Sequence, residues 1–285
     1  MTKWTGLGIS VYSTSDNPDP WELSDFFEDQ IDDLLANGFT DIRIDIVVAD
    51  NAEANVVSKA AVAIAVGKGV NVIWGVCFWS GGTLTAANWP AHRQLILDAA
   101  LWAQNNGVSE FIIGNEEENC NDDTTLTDSQ LRTNYRSLAT DVQAIFTNGD
   151  IIYSYAWESR DEWASEGKGD IDLLGINFSI GGSGVFNDYW KSMLDDMVEG
   201  IGADGLIITE FEPSYVNLDD YSEDEAVQAA AVTEMIDYIK TTGIKRALFF
   251  NYYDDPQPFG PPGFGALKTN KTYRLLWQSL LNSGN

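Results

Sequence analysis

One histidine, two cysteines and only 16 lysines and arginines occur in 285 residues, and each shortage excludes a class of chemistry. The single His92 leaves no set of imidazoles for the His-rich metal centres that many hydrolases use. It lies early in a helical pattern after Asn88-Trp-Pro90, a helix start with proline near the first turn, and reads as a surface residue. No metal and no other cofactor is expected. Cys77 and Cys120 show no CxxC spacing. They sit near the ends of neighbouring predicted strands, where a disulfide and a pair of buried or half-buried thiols both remain open.

Positive charge is scarcest of all: 44 acidic residues face 16 basic ones, a formal net charge of −28. Phosphate backbones are bound by clustered Lys and Arg, so nucleic acid is excluded as a partner. An anionic membrane surface is disfavoured for the same reason. No run of about 18 apolar residues is present, so no membrane-spanning segment is expected. Met-Thr-Lys-Trp-Thr-Gly-Leu-Gly leads into a strand pattern without a basic region followed by an apolar one. No secretory leader is therefore expected in this sequence, which fits a chain not exported by that route or one whose leader was removed. The acids are spread along the whole length, as a solvated shell of the kind associated with salt-rich surroundings. Such a field suits an uncharged substrate, and the chain is expected to act as a monomer.

What is plentiful is apolar residues, 44% of the chain, in strand and helix patterns that alternate without any Ser/Pro-rich linker. Strands are predicted at Gly6–Tyr12, Asp41–Val47, Val70–Phe78, Glu110–Gly114, Ile151–Trp157, Ile171–Phe178, Gly205–Thr209 and Arg246–Tyr252. Amphipathic stretches at Phe26–Ala36, Val56–Val66 and His92–Ala103 each run into Gly or Asn, the residues that cap a helix C-terminus. Thr127-Asp-Ser-Gln130 and Ser222-Glu-Asp-Glu225 have the spacing of capping boxes, and a last helix covers about Thr272–Leu281. Strands that alternate with helices imply a parallel sheet, and eight such units imply one α/β domain over residues 1–285, a (β/α)8 TIM barrel. A doubly wound sheet is the alternative, but the Gly-rich phosphate turn after its first strand is missing.

Two of the predicted strands end in glutamate: Phe111-Ile-Ile-Gly-Asn-Glu116 and Gly205-Leu-Ile-Ile-Thr-Glu210. A carboxylate closing a strand buried on both faces is costly unless it has a use. One such glutamate reads most simply as the start of a polar loop; two, both at the ends where barrel enzymes build their sites, read as a pair. Asp41-Ile-Arg-Ile-Asp45 alternates so that Arg43 faces the barrel interior, where a guanidinium would keep a nearby carboxylate ionised. Its alternative is a surface arginine paired with Asp41 or Asp45. Aromatic residues crowd the same strand ends: Phe78, Trp79, Trp157, Phe178, Phe211, Tyr252 and Tyr253. Flat apolar rings suit the CH faces of sugars, and Trp79, Trp157, Tyr252 and Tyr253 are the candidates for substrate contact.

Ile113-Gly-Asn-Glu116 resembles the fourth-strand signature of clan A glycoside hydrolases, in which an asparagine precedes the acid/base glutamate. Ile208-Thr-Glu-Phe211 resembles the seventh-strand segment that carries their nucleophile, and the likeness extends over the whole chain. The resemblance implies a retaining glycosidase, more in keeping with an endo-acting enzyme on a neutral β-glucan or β-mannan than with an exo-enzyme. It implies Glu116 as acid/base, Glu210 as nucleophile, Arg43 as support for Glu210, and Asn115 as the partner of the sugar 2-hydroxyl; a plain turn residue is the alternative for Asn115. Glu117, Glu118 and Glu212 compete with the pair by proximity, although Glu212 precedes Pro213 in what reads as a loop. Many members place Tyr after strand six to orient the nucleophile, whereas Gly175-Ile-Asn-Phe-Ser179 has Phe178 there. Asn177 is then a substrate-site residue and, with Tyr153 and Tyr155, a candidate for that orienting role.

Two other readings compete. A catalytically silent barrel could bind glycans as a lectin-like module, a reading that loss of either glutamate would have favoured. Glu117-Glu-Asn-Cys-Asn-Asp-Asp123 could hold a structural calcium ion, but it matches no EF-hand spacing and reads better as a solvated acidic loop.

The acidic shell predicts that stability rises with salt. Debye length falls from about 10 Å at 0.1 M to about 3 Å at 1 M, so like-charge repulsion is largely screened below molar salt. The melting temperature should climb between low salt and molar sodium chloride. A flat or falling curve would contradict a strained acidic shell.

Overall fold

The computed structural model describes residues 7–11, 20–47, 52–77, 84–118, 125–180, 186–213, 225–250 and 273–283. Among them eight strands alternate with eight α-helices. In chain order these are β1 Leu7–Val11, α1 Pro20–Ala36, β2 Asp41–Val47, α2 Ala52–Gly67, β3 Asn71–Cys77, α3 Trp89–Asn105, β4 Glu110–Asn115 and α4 Asp128–Gln143. The second half runs β5 Ile151–Ala156, α5 Arg160–Glu166, β6 Leu173–Ile180, α6 Asp188–Ile201, β7 Leu206–Pro213, α7 Glu225–Thr242, β8 Ala247–Phe249 and α8 Leu276–Ser283. Each strand pairs parallel with the next, and β1 pairs with β8 to close the barrel. This is the (β/α)8 barrel that the alternating pattern predicts. No helix among the described residues is long and apolar enough to cross a membrane.

The alternation of side chains along each strand builds two apolar layers. Ile73, Ile112, Ile152, Leu173, Ile207 and Leu248 form one cluster, a plug inside the barrel. Ile42, Ile44, Trp74, Phe111, Ile113, Tyr153, Tyr155, Ile176 and Ile208 face the other way, into the larger core under the helices. The plug gives the barrel a solid floor, and polar side chains can gather only above it, toward the C-terminal strand ends.

Helix ends follow the sequence signals. Gly38, Gly69 and Gly107 take φ of 86°, 80° and 76°, the left-handed stop that a side chain resists. The Thr127 hydroxyl accepts the Gln130 N–H while the Gln130 side chain accepts the Thr127 N–H, so the capping box opening α4 is formed. The Ser222 box lies outside the described residues.

Three expectations need correction. His92 is not on the surface: it is 3% exposed, with its Nε2 3.0 Å from the Tyr135 hydroxyl. His92, Ile96, Ala100 and Ala103 are the buried positions of α3, a helical stripe, so the imidazole lies on the apolar face. Burial without a counter-charge lowers its pKa to about 4, so it is neutral at pH 7. Second, β7 continues past Thr209 to Pro213, which puts Glu212 in the strand and not in a loop. Third, β8 stops at Phe249; Phe250 still donates its N–H to the Phe211 carbonyl, and Tyr252 lies outside the described residues.

Candidate active site

Both glutamate-bearing strands carry an irregularity just before the glutamate. On β4, Ile112 pairs with Ile152 of β5, but the next partners are Gly114 with Tyr153 and Asn115 with Ser154. The extra residue is a β-bulge, which swings Asn115 inward. Glycine is required there: a Cβ on Gly114 would come within 2.8 Å of the Tyr135 and Tyr153 rings and 2.9 Å of the Glu117 carboxyl. Glu116 follows with φ of 60°, and its N–H reaches the Ser154 carbonyl at 2.9 Å. It is the only non-glycine residue with positive φ among the described residues.

On β7 the bulge decides which residue faces the site. Ile208 pairs with Ile176 of β6, and the next pair is Glu210 with Asn177, so Thr209 is skipped. Strict alternation from the inward Ile207 would point Glu210 at the helices and Phe211 at the barrel axis. The bulge reverses this. Glu210 reaches Arg43 inside the barrel, and Phe211 is fully buried against Phe249 in the outer core. Phe211 is therefore not a cleft residue, contrary to its position in the sequence.

Above the apolar plug a single polar network joins the two glutamates. Arg43, 1% exposed, places Nη1 2.8 Å from Glu210 Oε1 and donates from the same nitrogen to the Thr209 carbonyl at 2.9 Å. Its Nη2 donates to Asn115 Oδ1 at 3.0 Å. Asn177 donates from Nδ2 to that same oxygen and to Glu116 Oε1, both at 2.9 Å. The Thr209 hydroxyl donates to Asn177 Oδ1 at 2.6 Å, which fixes the amide orientation. The path Glu210–Arg43–Asn115–Asn177–Glu116 thus runs across the barrel through five predicted site residues.

The two carboxyls sit in different electrostatic surroundings. Glu210 is 20% exposed and ion-paired with a buried guanidinium, which favours its charged form. Burial pushes the Glu116 carboxyl above the usual range. The Asn177 hydrogen bond and the Arg43 charge oppose that rise, and the Glu158 charge adds to it.

The remaining candidates divide. Asn177 serves Glu116 and not Glu210, and Tyr153 and Tyr155 face the outer core, so none of the three orients Glu210; Arg43 does. Glu117 and Glu118 turn back toward the helices, away from the network. Their burial also contradicts a solvated acidic loop at its first two positions. Trp157 stands in a 3-10 turn directly after β5, half-buried, with Tyr189 and Trp190 packed edge-on at 6.0 Å and 5.5 Å. Trp79, Tyr252, Tyr253 and Cys120 lie outside the described residues, as does the side chain of Cys77. Sequence reasoning missed Thr209, whose hydroxyl locks Asn177, and the Tyr189-Trp190 pair, for which the only signal was two aromatics after the helix-opening Asn187.

No family model and no curated protein matches this chain. Solved structures do. An exo-β-1,4-mannosidase from Opitutaceae bacterium strain TAV5 superposes with a TM-score of 0.78 at 13% identity, over 98% of this chain and 59% of that one. This chain thus spans little more than half the length of that neighbour. A GH113 β-1,4-mannanase gives 0.70 at 11% identity, over 100% and 99% of the two chains. An endocellulase from Pyrococcus horikoshii gives 0.70 at 12%, over 100% and 93%. At these identities the likeness establishes the barrel fold.

The Arg43–Glu210 contact predicts a measurable coupling. Arg43→Ala strands a mostly buried carboxylate and should cost about 3–5 kcal/mol of unfolding free energy. In a Glu210→Gln background the same change should cost less by about 1 kcal/mol or more. Urea unfolding of the four proteins measures this, and strictly additive losses would mean that the two side chains do not depend on each other.

Proposed function

We propose that this protein is a retaining β-glycoside hydrolase, endo-acting on a neutral β-glucan or β-mannan, with Glu210 as nucleophile and Glu116 as acid/base. The observation that carries this reading is the network from Glu210 to Glu116, which ties one carboxyl to a buried cation and leaves the other in a desolvated pocket. Two carboxyls pushed toward opposite protonation states are what glycosidic cleavage needs. The resemblance of both strand-end motifs to clan A points the same way. So do the fold neighbours named for β-1,4-mannan and cellulose chemistry. A net charge of −28 favours an uncharged chain over an anionic one.

In the first step a Glu210 oxygen bonds to the anomeric carbon as the glycosidic C–O bond breaks, and Glu116 gives its proton to the leaving oxygen. In the second, water gives a proton to Glu116 while its oxygen displaces the Glu210 ester, so two inversions retain the configuration. Arg43 keeps the attacking carboxylate charged and fixed. Asn115, itself held by Arg43 and Asn177, is placed to donate to the sugar 2-hydroxyl, a contact that strengthens in the transition state. Trp157, with Tyr189 and Trp190 around it, offers an aromatic wall for a sugar ring beside β5. A silent glycan-binding barrel would have no need of a buried cation aimed at one of its carboxylates.

Three outcomes follow from these roles. Glu210→Ala should abolish turnover of every substrate, and azide should not restore a product of the original configuration. Glu116→Ala should spare the first step for aryl glycosides whose leaving groups need no proton; near wild-type activity of Glu210→Ala would overturn the assignment. Early hydrolysis followed by proton NMR should release the β-anomer first, and initial α-anomer from a β-linked substrate would exclude retention.

The pH profile offers a further check. Ionisation of Glu116 ends the first step on the alkaline side, so the alkaline limb of kcat/KM reports that carboxyl. Asn177→Ala removes a hydrogen bond that favours the ionised form. The limb should therefore move to higher pH, with kcat down by about 10²-fold from lost positioning. A limb that stays in place or moves to lower pH would detach Asn177 from the acid/base.

A further inference from the structure

Directly after Glu116 the chain buries two more carboxyl groups that the reaction does not use. Glu117 is 1% exposed and Glu118 is 5% exposed. Glu118 accepts the Trp163 indole N–H at 2.9 Å and the Tyr153 hydroxyl. Glu117 lies behind Gly114, where its carboxyl converges with the Tyr135 and Tyr153 rings. Among the described residues neither oxygen of Glu117 has a hydrogen-bond partner.

These two groups follow directly on the one site residue with positive φ among the described non-glycine residues. A glutamate at φ of 60° persists only where its surroundings hold it there. Before it stand the Gly114 bulge and the Glu116 N–H bond to Ser154. After it stand Glu117 and Glu118, turned to the opposite side of the sheet from Glu116. We propose that Glu117 and Glu118 form a buried latch that holds Glu116 in its left-handed conformation, with Glu118 tied to Tyr153 and Trp163 and Glu117 kept as a neutral acid whose ionisation releases the latch. Both are positioning residues, and the kinetic half of the proposal rests on the glycosidase reading above.

The groups around Glu117 explain why it keeps its proton. From its own turn it faces Glu118, and Glu116 precedes it. From α4 come Tyr135 and, toward Glu118, Arg132, whose guanidinium is shared with Glu166 at 2.8 Å. From α3 comes His92, neutral and bonded to Tyr135, and from β5 comes Tyr153. Two adjacent buried carboxyls cannot both be charged cheaply, and the donors and the cation gather on Glu118. Burial raises the Glu117 carboxyl to about 8. The backbone N–H groups of Asn115 and Glu117 and the Tyr135 hydroxyl oppose that rise, and the Glu118 charge adds to it.

The sign of the pH effect follows. Between the ordinary value of 4.5 and about 8 the unfolded chain gives up the Glu117 proton while the folded chain retains it. The folded state then binds more protons, so stability falls as pH rises through that window. Above about 8 the folded carboxyl ionises beside Glu118 and the latch opens.

Two variants test this. Glu117→Gln keeps the shape and removes the ionisation. Its urea midpoint should fall less than that of the wild type between pH 5 and pH 8 and should exceed it at pH 8. Parallel curves would overturn the neutral-acid assignment. Tyr153→Phe removes one donor to Glu118. It should lower kcat/KM on the polysaccharide that the wild type cleaves by about tenfold or more, part of the ~10²–10⁴ that acid catalysis supplies. The 2,4-dinitrophenyl glycoside of the same sugar, which needs no proton, should lose less than about twofold in that first step. An equal loss on both substrates would reduce the latch to general structural support and overturn the positioning role. A wild type that cleaves no β-glycoside would sink the glycosidase reading, and the Glu117→Gln comparison would still decide the latch.

Discussion

A guanidinium that is 1% exposed inside a barrel must be neutralised, and much of this molecule is arranged around that requirement. Arg43 rises from β2 just above the apolar plug and takes a carboxylate, a backbone carbonyl and a side-chain amide as partners. Each partner comes from a strand on another side of the barrel, so the cation links β2, β4 and β7. The same contacts that offset its burial also fix Glu210 and Asn115. Stability and chemistry therefore share one set of hydrogen bonds.

The backbone supplies what side chains alone cannot. A regular strand sends alternate residues to opposite faces, so Thr209 and Glu210 cannot both face the barrel interior unless one residue is added. The bulge on β7 adds it, and the bulge on β4 does the same service for Asn115. Thr209 then bonds Asn177, and Asn177 bonds Glu116, so the irregularity of one strand positions the glutamate of another. Local departures from ideal geometry are concentrated at the two strand ends that carry the carboxyl pair, as expected where function is set against regularity.

Much of this was legible in the residues. Eight alternating units, the Gly and Asn helix stops and the Thr127 capping box are local signals, and each formed where the pattern placed it. Arg43 was legible because β2 keeps strict alternation between Ile42 and Ile44. The bulges were not, since nothing in Ile208-Thr-Glu-Phe211 marks an added residue, so the side of the sheet that Phe211 faces could not be read from the sequence. His92 was misread because its neighbours Asn88-Trp-Pro90 announce a helix start, whereas the stripe it belongs to is completed only by Ile96, Ala100 and Ala103. Glu117 and Glu118 were read as part of a solvated loop; the aromatic pocket that receives them is assembled from α4, β5 and α5, residues remote in sequence. Such non-local burial has no local signature.

An ionised Glu210 held by Arg43, beside a desolvated Glu116, amounts to a claim about which oxygen bonds to the sugar. A 2-deoxy-2-fluoro β-glycoside with a good leaving group slows the second step and allows the glycosyl-enzyme to accumulate. Mass spectrometry of the trapped protein should show one sugar per chain, and peptide mapping should place it on Glu210. Label on Glu116, Glu212 or any other side chain, or steady turnover of the natural glycan by a protein that never traps, would contradict the double displacement through Glu210.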